Sequence, residues 1–282
     1  MALSVLNNIP SIVAENQLTI TQNNLQNTLT QLSSGSRINT GADDAAGLAI
    51  ANGLQANVTG LTQSVANANN GVGALQVADG ALGQVTTLLN RAVTLATEAS
   101  TGTVSSSQRT ALDAEYQQIL QQIDSIGSNT TFNGTTIFAA NTTTTTSIFL
   151  SDSSTAGTTT IGVSVSGLST TALALHGTSI TGTPGGGGVT DPEATLALIN
   201  TAIATVASDR GTIGAGVNRL QAASNVENNE IQNLTAAQNQ ITAADIPSVV
   251  ANLSKFSILE RTGISALAQA NTAQQQVLNL LQ

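Results

Sequence analysis

The sequence predicts a mainly α protein in which both chain ends form long antiparallel coiled-coil rods, with a small β-hairpin or β-rich central insertion. Three observations carry this. Leu61, Ala68, Leu75, Leu82, Leu89 and Ala96 recur every seven residues, which draws a narrow apolar stripe along one helix face, the seam of a coiled coil. Far downstream, a second run of the same kind passes through Leu196, Ile199, Ile203, Val206, Ile213, Val217, Leu220, Ile231, Leu234 and Ile241. Between the two the chain turns to β-branched and hydroxyl residues, and aromatics are only 2% of the whole. That composition suits thin seams and short strands better than a thick core.

Taken in order, residues 2–9 are apolar in a helical pattern, Pro10 suits a first helical turn, and Leu18, Leu25, Leu29 and Leu32 form a short seam. A helix with so little bulk is marginal alone in water. Gly35 and Gly41 then break the period, and Asp43 or Asp44 can cap the next helix. From Ala45 to Ser100 the heptad stripe predicts a rod of roughly 80 Å, with a second row at Val65, Val72 and Val93, four residues after members of the first. One partner row is Leu112, Tyr116, Ile119, Ile123 and Ile126, preceded by a TGTVSSSQ loop and ended before Gly127. The downstream rod keeps its period only if Arg210, Ser224, Glu227 and Gln238 fill seam positions, which points to a specified register.

Phe132, Asn133 and Gly134 read as a turn, and the β-branched runs 142–150 and 158–165 read as strands. Residues 177–191, with Pro184 and Gly185 to Gly188, read as a flexible loop. Asp191, Pro192 and Glu193 make a helix start. Ala244 to Pro247 interrupts that helix, and Val249, Leu253, Phe256, Ile264, Leu267, Leu278 and Leu281 form a last seam. The expected organisation is a terminal coiled-coil segment of 1–43 with 247–282, a long-rod domain of 44–131 with 190–246, and an exposed β-rich insertion at 132–189. Leu61, Leu75, Leu82, Leu89, Leu253, Leu267, Leu278 and Leu281 are the expected subunit-packing seam.

Charged residues are 8% of the chain, against roughly 25% in ordinary soluble proteins, and Asn, Gln, Ser and Thr take their place. Such a surface packs against copies of itself without desolvating many ions. The formal net charge is −9 with no basic cluster to neutralise phosphates, so nucleic acid is not an expected partner. No apolar run of membrane-spanning length occurs, and the first basic residue, Arg37, leaves no positive region of a secretory signal. With no cysteine and His176 as the single histidine, neither a metal site nor a nucleophilic triad has its members. No enzyme activity, catalytic residue or cofactor is expected.

The run LSSGSRINTGADDAAGLAIA from Leu32 to Ala51, with Asn52 following, and GLTQSVANANNGVGALQVADGAL from Gly60 to Leu82 resemble bacterial flagellin. The likeness returns at IGAGVNRLQAA from Ile213, at LTAAQNQITAADI from Leu234 and at the closing SALAQANTAQQQVLNLLQ, with Gln282 where the family often has arginine. The resemblance implies a homopolymer: a secreted, extracellular structural subunit of the flagellar filament for swimming motility. It is exported unfolded through the flagellar type III apparatus, with an export chaperone and a filament cap as partners. It also implies that the chain ends line the filament core, that the rods form an outer packing layer, and that host innate-immune receptors are partners through Arg91, Leu95 and Glu115. The alternatives are the hook–filament junction protein, in which proline usually follows the Asp-Asp pair where Ala45 stands here, and a secreted host-interacting adhesin.

Overall fold

The computed structural model describes residues 8–151 and 160–280, with side chains as far as Gln276 in the last helix. Among the described residues the helices are α1 (Ile9–Ser34), α2 (Ala45–Ala99), α3 (Ser106–Asn129), α4 (Pro192–Thr242) and α5 (Ile246–Leu280). Two antiparallel hairpins stand between α3 and α4: β1 (Thr131–Phe132) with β2 (Thr135–Thr136), and β3 (Thr144–Phe149) with β4 (Thr160–Val165). The chain divides into two compact units, Met1–Ala56 with Asn233–Gln282 and Asn57–Gln232. The division between these units falls inside α2 and α4.

The helix ends follow from local chemistry. Gly35, at φ 67, closes α1 in the left-handed conformation that glycine adopts without penalty. Asp44 accepts from the Gly47 amide at 2.8 Å and caps α2, while Asp43 accepts from the Asn39 and Thr40 amides and ties down the preceding turn. Those bonds to the ionised form hold the Asp43 carboxyl below its ordinary value. Helix α3 starts before its periodic row because Ser105 and Gln108 form a reciprocal capping box. Asp191 accepts from the Gly187 amide at 2.8 Å and the Glu193 amide at 3.0 Å at the head of α4.

In the unit 57–232, Ser64 meets Glu227, Gly71 lies beside Leu220, Leu75 beside Gly216, and Asp79 meets Arg210. Numbers rise along α2 as they fall along α4, so the two helices are antiparallel. Leu61, Ala68, Leu75, Leu82, Leu89 and Ala96 are all buried. The second buried row, however, sits three residues after the first: Ser64, Gly71, Ala78, Val85, Ala92 and Ala99. Val65, Val72 and Val93 only flank it, half-buried. Apart from Val85, small residues hold the inner position, as a close approach of packed helices requires.

The insertion is not an exposed appendage. Phe138, Ile148, Leu150, Val163, Val165, Leu168, Leu173, Leu175 and Ile180 belong to the same buried core as the α2, α3 and α4 seams. A Cβ on Gly71 would lie 2.6 Å from Ile148, and one on Gly216 would lie 2.7 Å from Val163, so the β3–β4 hairpin reaches the helices where they lack side chains. On α3, a Cβ at Gly127 would overlap the Leu168 carbonyl, and Asp124 accepts from the Thr170 amide at 2.7 Å.

The glycine-rich stretch after Gly177 is likewise anchored. The Ser179 amide donates to the Val189 carbonyl, the Gly182 amide to the Thr190 carbonyl and the Ile180 amide to Asp113. Its glycines supply turns at positive φ, at Gly177, Gly185, Gly187 and Gly188, rather than flexibility.

Candidate assembly surface

The unit built from the chain ends has a very different balance of buried and exposed carbon. Helices α1 and α5 pair antiparallel: Asn8 donates to the Ala270 carbonyl at 3.2 Å, Ser11 to Asn271 at 3.0 Å, and Gly263 packs beside Leu18. The less exposed residues of α1 include Ser11, Ala14, Leu18, Thr21, Leu25, Thr28 and Leu32, spaced alternately by three and four. Those of α5 include Val249, Leu253, Phe256, Glu260, Gly263, Leu267, Ala270 and Gln274, with the same spacing. This is coiled-coil geometry with a weak seam, since Thr21, Thr28, Glu260 and Gly263 occupy positions where leucine would bury more carbon.

Leu29 and Ile264, placed on the seams by the sequence reading, are instead 48% and 51% exposed. Leu253 and Leu267 are half-buried on the α5 seam. Leu281 and the side chain of Leu278 lie outside the described residues. Leu61, Leu75, Leu82 and Leu89, expected to pack subunits together, are no more than 3% exposed within one chain. They are therefore positions already buried within their own chain, and Leu75, Leu82 and Leu89 share one core with residues of α3, α4 and the hairpin.

What the sequence reading missed is the apolar carbon away from the seams. Ile9, Ile12, Val13 and Ile20 on α1, and Ile246, Val250, Ile258 and Leu259 on α5, are all exposed. The outward side of a coiled coil in water is ordinarily polar. Among the described residues, the buried hydrophobic side chains of this unit are only Ile38, Ala51 and Val249. More large aliphatic carbon thus faces solvent than faces a core. The signal was present in the sequence as β-branched residues out of phase with the leucines.

A latch joins the two chain ends. Ser36 and Ala243 form an isolated antiparallel bridge, the Arg37 amide donates to the Thr242 carbonyl at 2.7 Å, and the Ala244 amide donates to the Gly35 carbonyl at 3.0 Å. Arg37 also donates through Nε to the Ile241 carbonyl at 2.6 Å. The loop after α1 is thereby held to the joint between α4 and α5.

The three residues expected to form a receptor patch part company. Arg91 and Glu115 form a two-bond ion pair at 2.7 and 3.0 Å on the surface of α2 and α3. The pairing holds the Glu115 carboxyl below its ordinary value and raises the Arg91 guanidinium. Leu95 is 1% exposed and belongs to the core; it shares the Arg91 side of α2 by spacing, but α2 turns it inward beside Ala96. Elsewhere on the seam, Arg210 is exposed and pairs with Asp79, Glu227 is buried against Ser64, and Gln238 donates to Gln55 at 3.0 Å.

Two family models match this sequence: the bacterial flagellin N-terminal helical region over residues 5–143 and the C-terminal helical region over 196–281. The flagellar filament 30.7 kDa core protein of Treponema maltophilum is 31% identical over 288 residues, covering 97% of this chain and 98% of that protein. A flagellin of Halalkalibacterium halodurans is 32% identical with the same coverages, 97% and 98%. The crystal structure of Bacillus cereus flagellin is 31% identical with a TM-score of 0.44, covering 57% of this chain and 88% of that one.

Proposed function

The chain belongs to the bacterial flagellin family and is a structural subunit of the motility filament, and we propose that the outward aliphatic faces of α1 and α5 carry its polymerisation. The observation behind this is the inverted balance of the terminal unit: almost no core of its own, and branched aliphatic side chains aimed at solvent. A pair of helices whose leucines alternate with threonine, glycine, alanine and glutamate along the seam gains little from pairing alone. Burying the outward isoleucines and valines against other copies adds about 1.5–3 kcal/mol for each side chain fully covered. Faces that meet head-to-tail, not face-to-face, propagate into an open helical polymer.

On this reading the terminal unit lines the filament core and the remaining unit forms the layer outside it. Full-length likeness to filament proteins disfavours the junction-protein and adhesin alternatives. We further propose a secreted, extracellular product of the flagellar export apparatus, with chaperone and cap as partners on the way, and host receptors reading Arg91 and Glu115 on the free monomer. Leu95 would support that patch from beneath.

The experiment is removal of residues 268–282, which takes the last turns of the α5 seam away while leaving residues 57–232 intact. The truncated chain should keep the helical signal and melting of the rod unit and form no filaments under the electron microscope. Filaments from the truncated chain would refute the assignment. For the receptor patch, reporter cells exposed to wild-type monomer, Arg91→Ala and Glu115→Ala should respond to the first and much less to the others; equal responses would remove it.

A further inference from the structure

We propose that the latch between residues 36–38 and 241–244 is the point from which the coiled coil of the chain ends closes, and that Arg37 is the residue that sets it. Helices α1 and α5 then pair in one direction, from the latch toward Asn8 and Ala270. The proposal rests on the filament reading above, in which the paired helices carry polymerisation, and names what governs whether they are paired.

Two observations set the direction. The first is the place of burial. The buried hydrophobic side chains of this unit are Ile38, beside the latch, Ala51 and Val249, in the first turn of α5. Helix α1 buries only Thr21 and Thr28, and among the described residues α5 buries nothing beyond Val249. The second is the kind of bond. At the latch main-chain groups pair, the Arg37 amide with the Thr242 carbonyl and the Ala244 amide with the Gly35 carbonyl. The Ser36 hydroxyl stands 2.8 Å from the same Thr242 carbonyl, partly buried. At the far end, Asn8 and Ser11 bond the Asn271 side chain at exposed positions, where water competes for each group. Between the two, the hydroxyls of Thr21, Thr28, Thr262 and Ser265 turn back to carbonyls of their own helix.

Helix-end chemistry explains why closure starts here. Ser36 and Thr242 are 206 positions apart in the chain, and Asn8 and Ala270 are 262 apart. Whichever contact forms first carries the loop-closure cost, and later ones add almost nothing to it. The last carbonyls of α4 lack partners within the helix, and no basic residue stands in its last turn. Arg37 supplies both from the other end of the chain. Its Nε donates to the Ile241 carbonyl at 2.6 Å and its amide to Thr242 at 2.7 Å, which places a cation where the helix dipole favours one. With the latch closed, each added turn of α1 on α5 extends a seam too weak to start alone.

The chain has no cysteine, and Ser36 and Ala243 face each other in an antiparallel bridge, at the Cα separation a disulfide needs. Ser36→Cys with Ala243→Cys therefore locks the latch, and Ser11→Cys with Asn271→Cys locks the far end. Amide hydrogen exchange is measured on the full-length monomer of each double variant, oxidised and reduced, and of Arg37→Ala. With the latch locked, amides at Leu25 and Phe256 should exchange at least about tenfold more slowly than in Arg37→Ala, and the far-end lock should protect them less. Equal exchange in the locked latch and Arg37→Ala, or equal protection from the far-end lock, would overturn the latch and leave the filament reading standing. The concentration of subunit left unsedimented beside filaments should also be lower for the locked latch than for Arg37→Ala. Slower exchange with unchanged assembly would keep the latch and overturn the assignment of polymerisation to α1 and α5.

Discussion

Gly214 and Gly216 are two residues apart in α4, and replacing each by alanine should move stability in opposite directions. At Gly216 the new methyl would stand 2.7 and 2.9 Å from the two γ-carbons of Val163 and 3.4 Å from Leu75 Cδ1. The Val163 contacts are short by roughly 0.8 Å of ordinary carbon–carbon separation. Rotating Val163 about χ1 gives little relief, since a β-branched side chain exchanges one methyl for the other. Val163 is 3% exposed and paired with Thr146 across the hairpin, so relief requires the hairpin itself to lift. Overpacking of this kind costs about 1–3 kcal/mol, against a helix-propensity gain of about 1 kcal/mol. The net is a loss of up to about 2 kcal/mol, or a melting temperature lower by up to about 8 °C for a unit of this size. At Gly214 only the gain applies, and melting should rise by about 2–4 °C. The assay is thermal unfolding of the monomer by far-ultraviolet circular dichroism. Tyr116, the single tyrosine and 0% exposed, serves as a local reporter of this unit. If Gly216→Ala melts at or above Gly214→Ala, the account of how the hairpin seats on the helices is wrong.

Glu227 is 8% exposed and accepts only from Ser64 at 2.7 Å, and its second oxygen has no partner among the described residues. Ser64→Ala should therefore cost about 1.5–3 kcal/mol, while Glu227→Leu should be neutral or stabilising; chemical denaturation of the two variants and their combination checks this. Replacing residues 177–189 by a Gly-Ser linker should destabilise the rod unit, because Thr178 and Ile180 are buried and Thr178 bonds the Tyr116 hydroxyl at 2.6 Å; an unchanged melting curve would contradict the burial. Burial pushes the Tyr116 phenol above its ordinary 10.0, so the neutral form is favoured in the fold and this contribution is lost as pH rises. Phenolate absorbance should appear above pH 10 together with unfolding, not before it. Bonds from the Gly187 amide first, and then from the Glu193 amide, hold Asp191 below its ordinary 3.8. Its contribution is present above that pH and is lost as pH falls through the lowered value. Asp191→Asn should therefore be less stable than wild type at neutral pH and show a flatter acid limb in urea titrations.

The seven-residue recurrence of Leu61 to Ala96, the caps at Asp44 and Asp191, the turn at Asn133–Gly134 and the antiparallel return of the downstream rod were all legible in the sequence, because each is a local rule of spacing or of side-chain to backbone bonding. The family could be read for the same reason, from short runs that stand unbroken in the chain. Periodicity tells which face of a helix is apolar, but not what covers it. Tertiary contact alone decided that Ala78, Ala92 and Gly71 form the inner row in place of the valines, because a small residue looks the same in a sequence whether it lies at a close helix crossing or on the surface. It also decided that Leu95 turns inward, that the threonine-rich insertion and the glycine-rich loop are built into the core, and that Ile12 and Ile258 face outward. Burial belongs to pairs of surfaces, and half of each buried pair here is supplied by residues distant in the chain.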